Sequence, residues 1–232
     1  MSLNILVTTA ISYPNGPPHI GHMYEAIIAD IINRLYLGLG QNSHLLTGTD
    51  EHGKKIQQAA ELRRITPQEL CDSNSQIFKT MLSKSDVNYS RFIRTTDLDH
   101  IDLVKKLILK CKDLIYKTKY SGYYNIREEN FITEKEAAET DFKDPVTGIP
   151  YEIKEEEAYK FKLSQFKDVI NNNLHKVHGF NIKELTSRIE DLQDLTITRS
   201  KEDFTWVIDF PLDDEHIVYV WFENLLNIKF DI

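Results

Sequence analysis

Four consecutive residues, His19-Ile20-Gly21-His22, could do phosphoryl chemistry because of where they stand. Tyr13-Pro14-Asn15-Gly16-Pro17-Pro18 just before them is a run of turn formers that no helix or strand interior tolerates. Apolar residues at helical spacing follow: Ile27, Ile28, Ile31, Ile32, Leu35 and Leu39. The tetrapeptide is therefore predicted at a helix N-terminus, where unpaired N–H groups and about half a positive charge can seat a phosphate. Gly21 has no side chain, so a purine ring can lie against its backbone. His19 and His22 can donate hydrogen bonds to phosphate oxygens as charge develops on them. The reaction this suits is attack of a carboxylate on the α-phosphate of ATP with release of pyrophosphate, in which the protein positions reactants and stabilises charge. Two surface histidines at a helix cap give the same tetrapeptide, and the elements on either side are what favour the chemical reading.

Those elements form a βαβ unit. Ile5 to Ile11 (ILVTTAI) is short, β-branched and apolar and reads as a buried strand. Ile20 to Leu39 is the helix, ended by Gly38 and Gly40, and His44 to Thr47 (HLLT) is a second buried strand closing on Gly48-Thr49-Asp50. Such units build parallel sheets with right-handed crossovers. Helical patterns recur from His52 to Arg63, from Gln68 to Ser83 and from Asp97 to Tyr116, with a third strand at Arg91 to Thr95. At Lys119 the texture changes: Tyr120 to Tyr159 is rich in Tyr, Glu and turn residues and reads as a small insertion with short strands. Helical periodicity returns at Ser164 to Leu174 and Ile182 to Leu195, and His216 to Trp221 (HIVYVW) reads as a central strand.

Composition sets bounds. The chain has 232 residues, 41% hydrophobic and 28% charged, the profile of an ordinary soluble protein. It has no apolar run of membrane-spanning length and no signal peptide, and a cytoplasmic setting is the expectation. Cys71 and Cys111 stand apart, which argues against a disulfide framework and against a cysteine metal site. The net charge of −8 argues against a broadly basic nucleic-acid surface. From Lys119 to Lys160 there are 6 basic and 11 acidic residues, so much of that charge sits in the insertion and a local basic patch elsewhere is still permitted.

The HIGH tetrapeptide in this setting resembles the signature of class I aminoacyl-tRNA synthetases, and longer strings narrow the resemblance to the methionyl-tRNA synthetase family. Tyr13 to His22 (YPNGPPHIGH), Leu46 to Gly53 (LTGTDEHG), Phe92 to Asp97 (FIRTTD), Asp194 to Arg199 (DLTITR) and Tyr219 to Phe222 (YVWF) occur in family order across nearly the whole chain. The resemblance implies an α/β fold: the first half of a Rossmann-like parallel nucleotide-binding sheet with a small connective insertion. Residues 1–118 and 161–232 would belong to the catalytic domain and 119–160 to the insertion. It implies ATP-dependent activation of methionine and transfer to tRNA(Met), with Mg²⁺ accompanying ATP, and assigns ATP binding to His19, Gly21, His22 and Glu25. Catalytic roles go to His19, His22 and Asp50.

The same resemblance assigns the methionine site to Ala10, Ile11, Tyr13, Asp50 and Trp221. The chemistry is coherent: Asp50 at a strand's carboxyl end can pair with an α-ammonium group, and aromatic rings suit a thioether. Asp50 could instead cap the helix after it, Trp221 could be core packing, and Glu25 could lie on a solvated helix face.

In many family members the insertion is a zinc knuckle with CxxC pairs. Here Asn125 and Glu128 stand at the first pair's positions, Asp144-Pro145-Val146-Thr147-Gly148 takes the place of the second, and the segment has no cysteine. No structural zinc is expected, and Tyr120, Tyr123, Tyr124 and Phe131 are the candidate core. After YVWF the family usually continues with Asp, Ala and a later aromatic, whereas this chain has Glu223, Asn224 and Ile228. The KMSKS loop and helical anticodon-binding domain would lie beyond Ile232. On this reading the chain is a truncated catalytic portion, weak or inactive alone, a non-catalytic methionine- or ATP-binding remnant, or one part of a site that a separate chain completes.

Overall fold

The computed structural model describes residues 3–127, 130–177, 181–202 and 204–228. The chain forms two compact units: Met1–Lys110 with Lys201–Ile232, and Cys111–Ser200. The first begins with β1 (Asn4–Thr8), α1 (Ile20–Gly38), β2 (Asn42–Thr49), α2 (Lys54–Arg63), α3 (Pro67–Lys84), β3 (Arg91–Arg94) and α4 (Leu98–Lys110). Its strands make a parallel sheet in the order β1-β2-β3, with Val7 opposite Leu45 and Thr47 opposite Phe92. β2 is central and nearly all buried. Gly48 on it is dictated by packing, because a Cβ there would stand 1.9 Å from the Ile93 carbonyl oxygen of β3.

The core on one side of the sheet gathers Ala26, Ala29, Leu45, Leu82 and Val87, with Val7, Ile27 and Phe92 against them. α1 thus turns an unexpected face inward. Small Ala26 and Ala29 let the helix approach the sheet, and buried Asp30 and Asn33 find partners in the Asn88 amide and the Ser43 hydroxyl. Most of the isoleucine and leucine side chains face outward: Ile31 is 57% exposed, Leu35 59% and Leu39 63%. Such a stripe on a helix beside an edge strand is unusual for an isolated domain. A second cluster joins Ile56 and Ala60 of α2 to Leu70 and Cys71 of α3, with Trp206 against them. The start of α3 is fixed by Pro67 in its first turn and a capping box between Thr66 and Glu69.

The second unit contains β4 (Ile115–Asn125), β5 (Asn130–Ile132), α5 (Glu134–Glu139), β6 (Glu152–Phe161), α6 (Lys167–Asn173), α7 (Ile182–Glu190), β7 (Leu195–Thr196) and β8 (Thr198–Ser200). β4 and β6 are long and pair antiparallel from Ile115↔Phe161 to Tyr124↔Glu152, rather than being short strands. That pairing also ends the preceding helix early: α4 stops at Lys110, and Ile115 and Tyr116, read from sequence as helical, are held by cross-strand partners. The unit accordingly begins at Cys111, before the change in sequence texture at Lys119, and continues to Ser200. Phe131 meets Tyr120 and Tyr124 edge-on, at centroid distances of 4.7 and 5.2 Å, and Tyr123 packs on Phe142.

The chain returns to the first unit with β9 (His216–Val218) and α8 (Val220–Glu223). The expected central strand from His216 to Trp221 is thus only half strand. β9 bonds antiparallel to the segment around Asp209 and lies outside the parallel sheet, and Trp221 is on the short helix. No described helix is long and apolar enough to cross a membrane.

Candidate functional site

The first-unit elements converge at the carboxyl ends of β1 and β2, the edge where open α/β sheets bind ligands. The Asp50 amide donates to the Ser12 carbonyl at 2.9 Å and the Ser12 amide to Gly48 at 3.2 Å, so the chain after β1 runs beside the end of β2. A small cleft opens there, lined by Ala10, Ser12, His22, Glu25, Thr47 and Gly48 among others.

Both histidines cap α1. His19 is the N-cap, and its Nδ1 accepts from the Gly21 amide at 3.1 Å, while His22 Nδ1 accepts from the His19 amide at 3.1 Å. The two rings lie 3.9 Å apart, and the His22 ring meets Phe78 edge-on. An Nδ1 that accepts a backbone hydrogen carries no proton, so each neutral ring keeps its N–H on Nε2, available to an external acceptor. Partial burial, then the neighbouring His19, lower the pKa of His22 against an opposing pull from Glu25. A Cβ on Gly21 would stand 2.9 Å from the His19 ring and would push that ring aside. Glu25 is exposed and is tied to the loop after β1 by the Ala10 amide, which donates to its carboxylate at 2.8 Å.

Beyond β2, the sequence Asp50-Glu51-His52 is buried throughout. Glu51, which sequence reasoning passed over, is the hub. Its carboxylate accepts from Thr49 (2.6 Å), Ser75 (2.5 Å), Arg94 Nε (2.7 Å) and Thr96 (2.5 Å). Burial opposes its charge, but the Arg94, Ser75, Thr49 and Thr96 bonds prevail and hold its pKa below the usual glutamate range. Its backbone carbonyl accepts the Trp206 indole N–H at 2.7 Å, and Gln57 accepts the Thr205 and Trp206 amides. This lattice clamps the β2 terminus on which Asp50 stands.

Asp50 is 1% exposed. Its Oδ2 accepts from Asn224 Nδ2 at 3.0 Å, and its Oδ1 is buried with no hydrogen-bond partner among the described residues. Burial and then the charge of Glu223 push its pKa up to about 7, against the opposing effects of Asn224, His52 and Tyr13. The Tyr13 phenol is likewise pushed up, by burial and then by Asp50, so the structure brings these two predicted residues together. Glu223 is fully buried. Its Oε1 lies 2.7 Å from His52 Nδ1 and its Oε2 lies 3.5 Å from buried His100 Nε2. The site is therefore a buried, net acidic cluster with an unpaired acceptor, which suits a cation bearing N–H donors.

The other predicted residues are placed differently. Ala10 is exposed and Ile11 half-buried, while Trp221 is 60% exposed and so is not core packing. Ile228, which stands near where the family has its later aromatic, is 52% exposed. Asn224 bonds Asp50 and Glu223 pairs with His52 beside it, contacts that span some 170 positions of sequence, beyond any local pattern.

In the second unit, Asn125 is buried and donates to Asp144 Oδ2 at 2.8 Å, and Arg127 Nε donates to the same oxygen at 3.0 Å. Asp144 Oδ1 accepts from the Val146 and Thr147 amides and the Thr147 hydroxyl. Burial opposes the Asp144 charge, but Asn125, Thr147 and Arg127 hold its pKa well below the usual carboxylate range. An amide and a carboxylate already taken by five donors, with a guanidinium beside them, do not suit a divalent cation. Glu128, the other position of the first pair, lies outside the described residues. Among the described residues no three His, Cys, Asp or Glu side chains are grouped to hold a metal.

A parallel sheet whose strand ends carry a histidine-capped helix start and a buried aspartate defines the nucleotide-binding fold of class I synthetases. The family model described as tRNA synthetases class I (M) matches residues 5–140 and 136–228, and the chain belongs to that family. It is 41% identical over 229 residues to the methionine–tRNA ligase of Campylobacter jejuni, covering 94% of this chain and 36% of that protein. It is 37% identical to the mitochondrial methionine–tRNA ligase of Xenopus laevis, covering 96% and 42%. The solved structure of Mycobacterium tuberculosis methionyl-tRNA synthetase in complex with methionyl-adenylate superposes with a TM-score of 0.84 at 36% identity, over 98% of this chain and 46% of that one. The chain thus spans about two fifths of the length of the curated relatives it matches.

Proposed function

We propose that this chain carries the amino-acid activation site of a methionine–tRNA ligase. The observation that carries the reading is Asp50: a buried carboxylate at the carboxyl end of β2 with one oxygen unpaired, at the strand end whose Thr47 and Gly48 line a cleft with His22 and Glu25. In this reading Asp50 takes the α-ammonium group of methionine, and Tyr13, Ala10, Ile11 and Trp221 face the rest of the amino acid. The substrate carboxylate attacks the α-phosphorus of Mg²⁺-bound ATP, the bond from that phosphorus to the bridging oxygen breaks, and pyrophosphate leaves with the electron pair. The Nε2–H groups of His19 and His22 donate to phosphate oxygens as charge builds on them. The methionyl-adenylate then acylates the terminal ribose hydroxyl of tRNA(Met), releasing AMP. A cytoplasmic setting goes with this reading, although the Xenopus relative is named as mitochondrial.

A second reading is favoured by one observation. The outward stripe of α1, including Ile28, Ile31 and Leu35, lies beside β1, an edge strand of the described sheet. These surfaces suit further strands and helices that complete the nucleotide fold, as later sequence or as a separate chain. Without them the chain is a binding module with low turnover. Methionine-dependent exchange of labelled pyrophosphate into ATP separates the two. Exchange that His22→Ala abolishes supports the complete enzyme site, and methionine binding without exchange supports the binding module. Absence of both overturns the proposal.

A further inference from the structure

The Asn224 amide donates to the Asp50 carboxylate at 3.0 Å from Nδ2 to Oδ2, and the Tyr13 phenol interacts with the same carboxylate. It stands just after α8, where Glu223 points into the buried pair with His52, so the same short segment delivers both a negative charge and an amide to Asp50. The consequence for Asp50 is asymmetric: Oδ2 holds the Asn224 bond, whereas Oδ1 is buried and without a hydrogen-bond partner. A buried acceptor without a donor is costly and is relieved by an N–H-bearing ligand. We infer that Asn224 is a positioning residue for ammonium recognition, holding Oδ2 of Asp50 so that Oδ1 is presented to the α-ammonium group of the amino acid. This rests on the methionine reading given above.

Asn224 also acts on charge. The groups facing Asp50 are Glu223, which disfavours its ionisation, and His52, Tyr13 and Asn224, which favour it, with His100 lying behind Glu223. Removing the Asn224 amide leaves burial and Glu223 less opposed, so Asp50 holds its proton to higher pH. Ammonium binding should then fail first near neutrality and recover as the pH rises. Loss of a packing contact alone would not show that recovery.

The experiment is calorimetric titration of the intact chain and of Asn224→Ala with methionine and with 4-(methylsulfanyl)butanoate, which lacks the ammonium group. A parallel carbon-13 titration follows the Asp50 carboxyl, identified by its disappearance in Asp50→Asn. Asn224→Ala should weaken methionine about tenfold at neutral pH, as loss of one hydrogen bond to a charged group would, with the deficit closing by about pH 8. The desamino analogue should bind both proteins alike, and the Asp50 titration should move to higher pH. Asn224→Asp, of the same size but without the donor, should move it further and serves if the alanine variant does not fold. An Asp50 titration indifferent to residue 224, or equal weakening of both ligands, overturns the inference. A wild-type chain that binds no methionine while its Asp50 titration still responds to Asn224 overturns the methionine reading, and the hold of Asn224 on Asp50 stands.

Discussion

Replacing Asp50 with asparagine should make the ligand-free protein more stable at mildly alkaline pH while removing methionine binding. The buried carboxyl titrates near 7, against an ordinary aspartate value of 3.8. Each pH unit of such a difference is worth about 1.4 kcal/mol, so ionised Asp50 costs the folded state roughly 4 kcal/mol above pH 7. The sign follows from proton counting. Between the two values the folded state binds a proton that the unfolded state has lost, so stability falls as pH rises through this window and levels off above about 7. Below about 4 both states are protonated and the cost is absent. The neutral amide of Asp50→Asn would keep a carbonyl for the Asn224 donor but lose the attraction to His52, so a net gain of about 2–4 kcal/mol is expected at pH 8, shrinking to about 1 kcal/mol or less near pH 4.5. Urea unfolding at the two pH values measures this directly. A variant equally or less stable than wild type at pH 8, or a gain that does not change with pH, would refute the electrostatic account of Asp50.

Other perturbations test the scaffold. Glu51→Gln leaves four donors facing a neutral amide and Arg94 without its buried counter-charge, for an expected loss of about 2–4 kcal/mol. Because Glu51 is held below its ordinary range, its stabilisation is present at neutral pH and lost on acidification, so the difference between variant and wild type should narrow in acid. Gly48→Ala drives a Cβ into the Ile93 carbonyl and should cost at least about 3 kcal/mol or prevent folding, visible as loss of the cooperative thermal transition. Ile31→Lys with Leu35→Lys should change the stability of this chain by no more than about 1 kcal/mol in total, because both side chains are largely solvated, and a larger loss would mean that the face is covered.

Much of the scaffold could be read locally. The strand–loop–helix–strand order around His19 to His22 follows from a β-branched run, a cluster of prolines and a 3.6-residue period, all carried by adjacent residues. The inward face of α1 could not be read this way. Its isoleucines and leucines mark a helix but not its orientation, which is set by Ala26 and Ala29 against the sheet and by distant partners for Asp30 and Asn33. The apolar run from His216 to Trp221 reads as one central strand because periodicity cannot separate a short buried strand from a buried helical turn, yet the backbone turns helical at Val220. At the site, the type of Asp50 was legible and its environment was not. Glu51 draws on Ser75, Arg94 and Thr96, and Asp50 on Asn224, all brought in by tertiary structure.

The central claim is that one site joins an amino acid held at Asp50 to a nucleotide held at His19 and His22. Calorimetric titration with the sulfamoyl analogue of methionyl-adenylate tests both halves at once and does not depend on turnover. The account predicts saturable binding to one site, weakened at least tenfold by Asp50→Asn and by His22→Ala in variants that remain folded. No binding to the folded chain, or binding indifferent to both substitutions, would contradict it.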